Sequence, residues 1–307
     1  MPNESVVITG AFSYTGKYAT KLLLDRGYRV RTLTNHPGRT NPFGDRLEVF
    51  PYAFDRPEQL TEALRGASVL INTYWVRFPH GKTTFETAVH NTRTLIAAAK
   101  NAGVRRLVHV SIANPSLESP LGYYRCKAQL EQSIMESGLS YAILRPTVIF
   151  GLEDILINNI AWFLRHFPVF GIPGDGRYGV RPIYVEDMAR LLVDAAQREQ
   201  NTMLDAVGPE TSTFEELARL IAANLGRPAR IVRMPAPVAY LATRLTGLFV
   251  RDVVLTWEEC KGLMSNLLAP EGPSTGETRL SQWLSENRDQ VGRRYASEVA
   301  RHYAALT

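Results

Sequence analysis

Cysteine is scarce in this chain of 307 residues: there are two, Cys126 and Cys260, far apart in sequence. Two isolated thiols make neither a disulfide framework nor a thiolate cluster, so no metal site is expected. They suit a reducing compartment, and a cytoplasmic location is expected. A long uncharged apolar run is also missing. A bilayer span needs about 20 consecutive apolar residues, and the longest such stretch, 236–255, is broken by Arg244, Arg251 and Asp252. It reads as an amphipathic lid or interface helix, with a membrane-surface role as the alternative; no transmembrane segment is expected. No signal-peptide pattern precedes the first strand. Charge of one sign is not concentrated either. The net charge is +5 with no basic cluster, which gives no footprint for nucleic acid and fits a polyanionic small ligand. Internal repeats and low-complexity linkers are absent. What remains is an ordinary globular composition, long enough for one large or two modest domains.

The stretch 6–37 organises the rest. An apolar run, Val6-Val7-Ile8, leads into the turn Gly10-Ala11-Phe12-Ser13-Tyr14-Thr15-Gly16. A helical pattern with Ala19, Leu22, Leu23 and Leu24 follows, stopped at Gly27, and a second strand runs through Val30 and Leu33. Strand, glycine turn, helix and strand open a dinucleotide-binding unit. Gly10 turns the backbone off the strand, Gly16 lets the helix sit close, and the amides at the helix start can hold a pyrophosphate. A P-loop does not fit, because five residues separate the glycines and Tyr18 follows Lys17. The plainer alternative is a structural turn without a ligand, and Ser13 stands where the middle glycine of the pattern would be.

The tip of the second strand carries Thr34-Asn35-His36, with no acidic residue. An acid there would bind ribose hydroxyls and an Arg would take a 2′-phosphate. The missing acid leans the cofactor choice from NAD toward NADP, with Asn35, His36 and Arg39 near the phosphate; Arg39 is equally readable as a solvated charge. Leu47–Phe50 predicts strand three. Asp55 is placed to reach an adenine amine, to cap the helix opening at Pro57, or both. Val69–Asn72 predicts strand four, and Thr73, Tyr74 and Trp75 at its carboxyl end face the ligand crevice of a doubly wound sheet. A helix is predicted over 83–102, strand five over 107–111, a helix from Tyr123 through Met135, and strand six over 140–146. Alternation of this kind predicts an α/β, Rossmann-like, doubly wound parallel sheet over 1–150, with 182–200 packing back onto it. Residues 151–307 predict a smaller, mostly helical substrate-binding region. Its helices are expected over 155–167, to about Gln197, over 213–225 with Gly226-Arg227-Pro228 as the stop, and over 288–304.

Ser111, Tyr123 and Lys127 form the candidate catalytic set. Tyr123 and Lys127 lie four apart, hence on one helix face. An ammonium beside a phenol stabilises the phenolate, so Tyr123 can pass a proton to or from a carbonyl oxygen. Ser111, at the end of strand five, can hydrogen-bond the same oxygen. A lone Tyr-x-x-x-Lys match is ordinarily a solvated pair; the preceding glycine turn and strand-end Ser give it weight.

These residues, together with 144–151 and 182–189, resemble the short-chain dehydrogenase/reductase superfamily in its atypical extended branch. The nearest groups are NmrA-like proteins and the nucleotide-binding accessory subunit of respiratory complex I. The resemblance spans about residues 5 to 225. It implies a Rossmann domain, a small C-terminal substrate domain and bound NAD or NADP. It places Gly10, Phe12, Ser13, Tyr14, Thr15, Asp55 and Thr73 around the cofactor, and Lys127 and Pro146 to Val148 near the nicotinamide, and it makes Ser111, Tyr123 and Lys127 a catalytic triad. The expected function is an oxidoreductase acting on a small organic carbonyl or alcohol. The interval from Ser111 to Tyr123 is shorter than in typical active members. That motivates an alternative: a non-catalytic NAD(P)H-binding regulator or respiratory-complex accessory protein, docking a protein partner or another copy through its C-terminal helices. An NAD-dependent epimerase or dehydratase ranks lower, since 155–167 offers few sugar-binding groups.

Overall fold

A computed structural model describes residues 4–227 and 230–302. The chain folds as two compact units. One comprises the residues up to Pro146 together with Val185–Ala206, and the other comprises Thr147–Tyr184 together with the chain from Val207 onward.

The first unit is built on seven strands: β1 (Ser5–Thr9), β2 (Arg29–Thr34), β3 (Leu47–Pro51), β4 (Val69–Asn72), β5 (Arg106–Val110), β6 (Ser140–Pro146) and β7 (Thr202–Ala206). They form one parallel sheet in the order β3-β2-β1-β4-β5-β6-β7. Among the described residues five α-helices belong to this unit: α1 (Tyr14–Asp25), α2 (Pro57–Leu64), α3 (Phe85–Asn101), α4 (Gly122–Met135) and α5 (Val185–Gln197). α1 packs on α5, whereas α2 packs on α3 and α3 on α4, so both faces are covered. This explains the unbroken apolar run of β1: Val6, Val7 and Ile8 are all fully buried. Val7, Leu33, Leu70, Leu107 and Ile143 from five strands share one core with residues of α2 and α3. The strand order reverses between β1 and β4, and ligands of doubly wound sheets bind beyond the carboxyl ends at that point. β7 was not among the strands expected from sequence. It is a half-exposed edge strand, registered on β6 from Thr202–Ala142 to Ala206–Pro146, and its Thr-Met-Leu-Asp-Ala has no clean apolar period.

In the second unit, helices Leu156–His166, Phe214–Asn224 and Leu280–Asn287 contribute to a core that includes Phe150, Ile157, Leu217 and Trp283. The helix at Phe214 starts with a capping box, Thr213 against Glu216. It ends at Asn224 ahead of Gly226, whose φ is +61°; Pro228 of the expected stop lies outside the described residues. Strand Arg230–Met234 pairs with Val169–Pro173, adding a small two-stranded sheet to a mostly helical region. The helix expected over 288–304 is corrected. Residues 288–297 are turns and irregular chain, helix resumes only at Glu298–His302, and Tyr303 and Ala304 lie outside the described residues. The cause is tertiary. Asn158 Oδ1 accepts the Gly292 amide and Asn159 Oδ1 the Ala296 amide, and a Cβ on Gly292, at φ +68°, would overlap the backbone at Ala161. Side chains of the apolar helix take the amide bonds that a continuing helix would have made.

Candidate functional site

The turn after β1 is held by its own groups. The Gly10 amide donates to the Leu33 carbonyl at 2.8 Å, tying it to β2, and the Gly10 carbonyl accepts from the Ser13 amide at 2.8 Å and the Ser13 hydroxyl at 2.6 Å. Gly10 has φ +70°, and a Cβ there would stand 3.1 Å from Ser13 Oγ and 3.3 Å from Thr73 Oγ1. A Cβ on Gly16 would overlap the Gly10 carbonyl. Ser13 therefore clamps the turn where a middle glycine would only permit it. Its hydroxyl is spent on Gly10 and makes no cap bond to α1, and no acidic residue lies in the first turn of α1. The positive end of the helix dipole is left for an external anion. Phe12, Ser13, Tyr14 and Thr15 are half-buried along this turn.

A polar layer crosses the carboxyl ends of β1, β4 and β5. Thr9 Oγ1 donates to Asn72 Oδ1 at 3.1 Å and accepts from the Thr73 amide at 2.7 Å and the Tyr74 amide at 3.0 Å. Thr73 Oγ1 donates to the Thr9 carbonyl at 2.6 Å. Asn72 Oδ1 also accepts the Tyr74 amide, so its Nδ2 is the donor facing His109 Nδ1 at 3.0 Å. That network assigns the imidazole proton to Nε2. Burial and the nearby Lys127 charge push His109 well below its ordinary pKa, keeping the ring neutral. Thr9, Asn72 and His109 received no role from sequence. The signal was available: Thr9 and Asn72 are polar residues closing apolar strands, and His109 lies one position before the end of its strand.

Lys127 is buried in α4. Its Nζ donates to the Val110 carbonyl at 2.8 Å, next to Ser111, and lies 4.4 Å from the centre of the Trp75 ring. Burial lowers its pKa to about 7, partly offset by Glu131. Three buried polar atoms nearby have no hydrogen-bond partner among the described residues: Ser111 Oγ, His109 Nε2 and Trp75 Nε1. Tyr123 is half-buried, edge-on to Trp75 at 5.6 Å and to Phe85 at 5.7 Å. Tyr74 is committed to packing: it meets Tyr52 and Phe54, each at 5.2 Å, and Asn91 Nδ2 donates to its hydroxyl at 2.9 Å.

Asn35, His36 and Arg39 share the loop beyond β2, where the Arg39 amide donates to the His36 carbonyl. Asp55 does not cap α2, which corrects one expectation. Arg56 is the capping residue and supplies no side-chain bond, while the Asp55 side chain is 78% exposed and 3.6 Å from Arg56. The backbone turns the Asp55 side chain to solvent, one residue short of the cap. Pro146 ends β6, and its carbonyl accepts the Ala113 amide at 2.9 Å. Val148 belongs to the second unit.

The glycine cradle, the uncapped helix start and the orphaned Ser111 hydroxyl fit a nicotinamide dinucleotide, and with the strand order they define a dinucleotide-binding protein of the Rossmann class. Comparison with known proteins agrees. Residues 10–154 match a family model described as NAD(P)H-binding. NADH dehydrogenase [ubiquinone] 1 alpha subcomplex subunit 9 of Arabidopsis thaliana mitochondria is 28% identical over 243 residues, covering 76% of this chain and 60% of the relative. The photosystem II assembly factor Ycf39 of Cyanidium caldarium is 23% identical over 256 residues, covering 80% and 79%. A solved Citrobacter sp. triphenylmethane reductase complexed with NADP(H) shares the fold, with a TM-score of 0.75 at 16% identity, covering 92% of this chain and 99% of that one. Over residues 10–154 the chain carries the pattern of NAD(P)H-binding proteins, and it is similar to these relatives over about three quarters of its length. Its cofactor is NAD or NADP.

Proposed function

We propose that the protein is an oxidoreductase that interconverts a small organic carbonyl and its alcohol, with NADP preferred. In this reading residues 1–150, with 182–200, hold the cofactor, and 151–307 shape the substrate side. The observation that carries it is the orphaned polar set around Lys127. An unsatisfied buried polar atom costs about 1–3 kcal/mol, which a ligand repays when it supplies the missing partner. The bound nicotinamide supplies or accepts a hydride. Ser111 Oγ donates to the substrate oxygen and polarises it. Tyr123 gives that oxygen a proton in reduction and takes one in oxidation. Lys127, with a pKa of about 7, takes up charge as a phenolate forms beside it, because an opposite charge favours the ammonium. The test is oxidation of NADPH and NADH against a panel of carbonyls, run beside Tyr123→Phe. Turnover lost in the variant with cofactor affinity retained supports the reading; turnover unchanged removes Tyr123 from it.

A second reading is a non-catalytic nucleotide binder serving a larger assembly. It is favoured by the relatives, one named as a respiratory-complex subunit and one as an assembly factor. A nucleotide that co-purifies and does not exchange supports it. Fast exchange with robust turnover counts against it.

A further inference from the structure

The helix Ala236–Val250 is inside out. Its large apolar side chains Val238, Leu241, Leu245, Leu248 and Phe249 are all exposed, the last two by 78% and 79%. Spacings of three and four put them on one face, a stripe about 17 Å long. The opposite face turns small or polar groups inward: Ala239 is buried, and Thr243, Thr246 and Gly247 are half-buried. A Cβ on Gly247 would stand 2.6 Å from the Asp252 carbonyl, whose amide donates back to the Gly247 carbonyl at 3.0 Å. Arg251 closes the helix at φ +53°. The close return fixes which face is turned outward.

The charge pattern says what such a face meets. From Leu217 to Arg251 the sequence has six arginines and no carboxylate. Arg219 and Arg233 share Glu215, whereas the exposed Arg244 and Arg251 make no ion pair among the described residues. The next acid, Asp252, is buried, accepting from the Tyr295 hydroxyl and the Glu298 and Val299 amides. Tyr240 and the exposed Trp257 pack together at 5.4 Å, a pair of amphipathic rings of the kind that settle at headgroup depth. A second copy seated on this stripe would bring arginine against arginine. Among the described residues no helix is long and apolar enough to cross a bilayer, so a surface position is the one open to it.

We propose that helix Ala236–Val250 lies in the headgroup region of an anionic lipid membrane, with Leu245, Leu248 and Phe249 inserted and Arg244 and Arg251 on lipid phosphates. The test is flotation of the full chain with phosphatidylcholine vesicles and with vesicles of equal phosphatidylcholine and phosphatidylglycerol. Binding is expected to the anionic vesicles, weakened by salt. Leu248→Ser with Phe249→Ser should weaken it roughly tenfold or more, since the apolar area they bury is lost, and Arg244→Gln should weaken it on anionic vesicles alone. Both variants change solvent-facing atoms, and unchanged circular dichroism and melting show the fold intact. No binding to anionic vesicles, or binding that the double variant leaves unchanged, overturns the proposal. So does a wild-type dimer that ignores vesicles and dissociates in the double variant.

Discussion

The Lys127 ammonium sits 4.4 Å from the centre of the Trp75 ring while donating to the Val110 carbonyl. A cation there has one aromatic face, one carbonyl and little water, so the neutral amine competes well with the charged form. Its pKa of about 7 compares with 10.5 for a free lysine. Below pH 7 both folded and unfolded chains carry the proton, and the full cost of burying the charge is felt. Between about 7 and 10.5 the unfolded chain still binds the proton and the folded chain does not, so stability rises with pH by up to about 1.4 kcal/mol per unit. Lys127→Met should therefore be most stabilising, relative to the wild type, at pH 6 and lose that advantage by pH 10. Urea titrations of both proteins across this range check it; a pH-independent difference contradicts a depressed lysine.

Ser111→Ala separates stability from catalysis. The hydroxyl is buried and unpartnered, so removing it should leave the free protein equally stable or raise stability by about 1 kcal/mol. Turnover should fall, by roughly tenfold to a thousandfold, because the substrate oxygen loses a donor. Melting temperature and kcat read on one preparation check both halves.

Gly16→Ala tests the turn. The added methyl overlaps the Gly10 carbonyl, and the turn must open to admit it. A loss of about 1–3 kcal/mol in stability is expected from overpacking. Affinity for NADPH and NADH should drop together by at least about tenfold, since the anion-facing amides move with the turn. Calorimetric titration with each nucleotide measures this.

Arg39→Ala tests the cofactor preference. If Arg39 reaches the 2′-phosphate, the substitution should weaken NADPH binding by about tenfold and leave NADH nearly unchanged, as expected for loss of one charge-assisted contact. Equal losses for both would assign Arg39 to the loop alone.

Strands β1 to β6 of the first unit were legible as short runs with buried apolar residues that alternate with helical patterns; β7 was not. Val6–Ile8 and Val69–Ile71 read as strands from their place in the alternation, and the structure covers them on both faces. Ser111, Tyr123 and Lys127 were legible as types and spacing, but their surroundings were not. No local pattern announces that Trp75 lies over Lys127, that Asn72 sets the His109 tautomer, or that Asp55 stops one residue short of the cap. The first two join residues 52 and 37 positions apart and arise from strand order, whereas the third is a one-residue offset that the folded backbone fixes.

Sequence by itself determined the glycine turn, the parallel alternation and the lack of a spanning helix, because each depends on residues close together along the chain. Tertiary structure decided the rest. It made an edge strand of Thr202–Ala206 by offering β6 an open side. It ended helix at Arg288 by giving the amides of Gly292 and Ala296 to Asn158 and Asn159. It turned Leu248 and Phe249 to solvent because Gly247 must lie against Asp252. Each depends on which distant groups satisfy a backbone or fill a space, and that is settled only when the chain has packed.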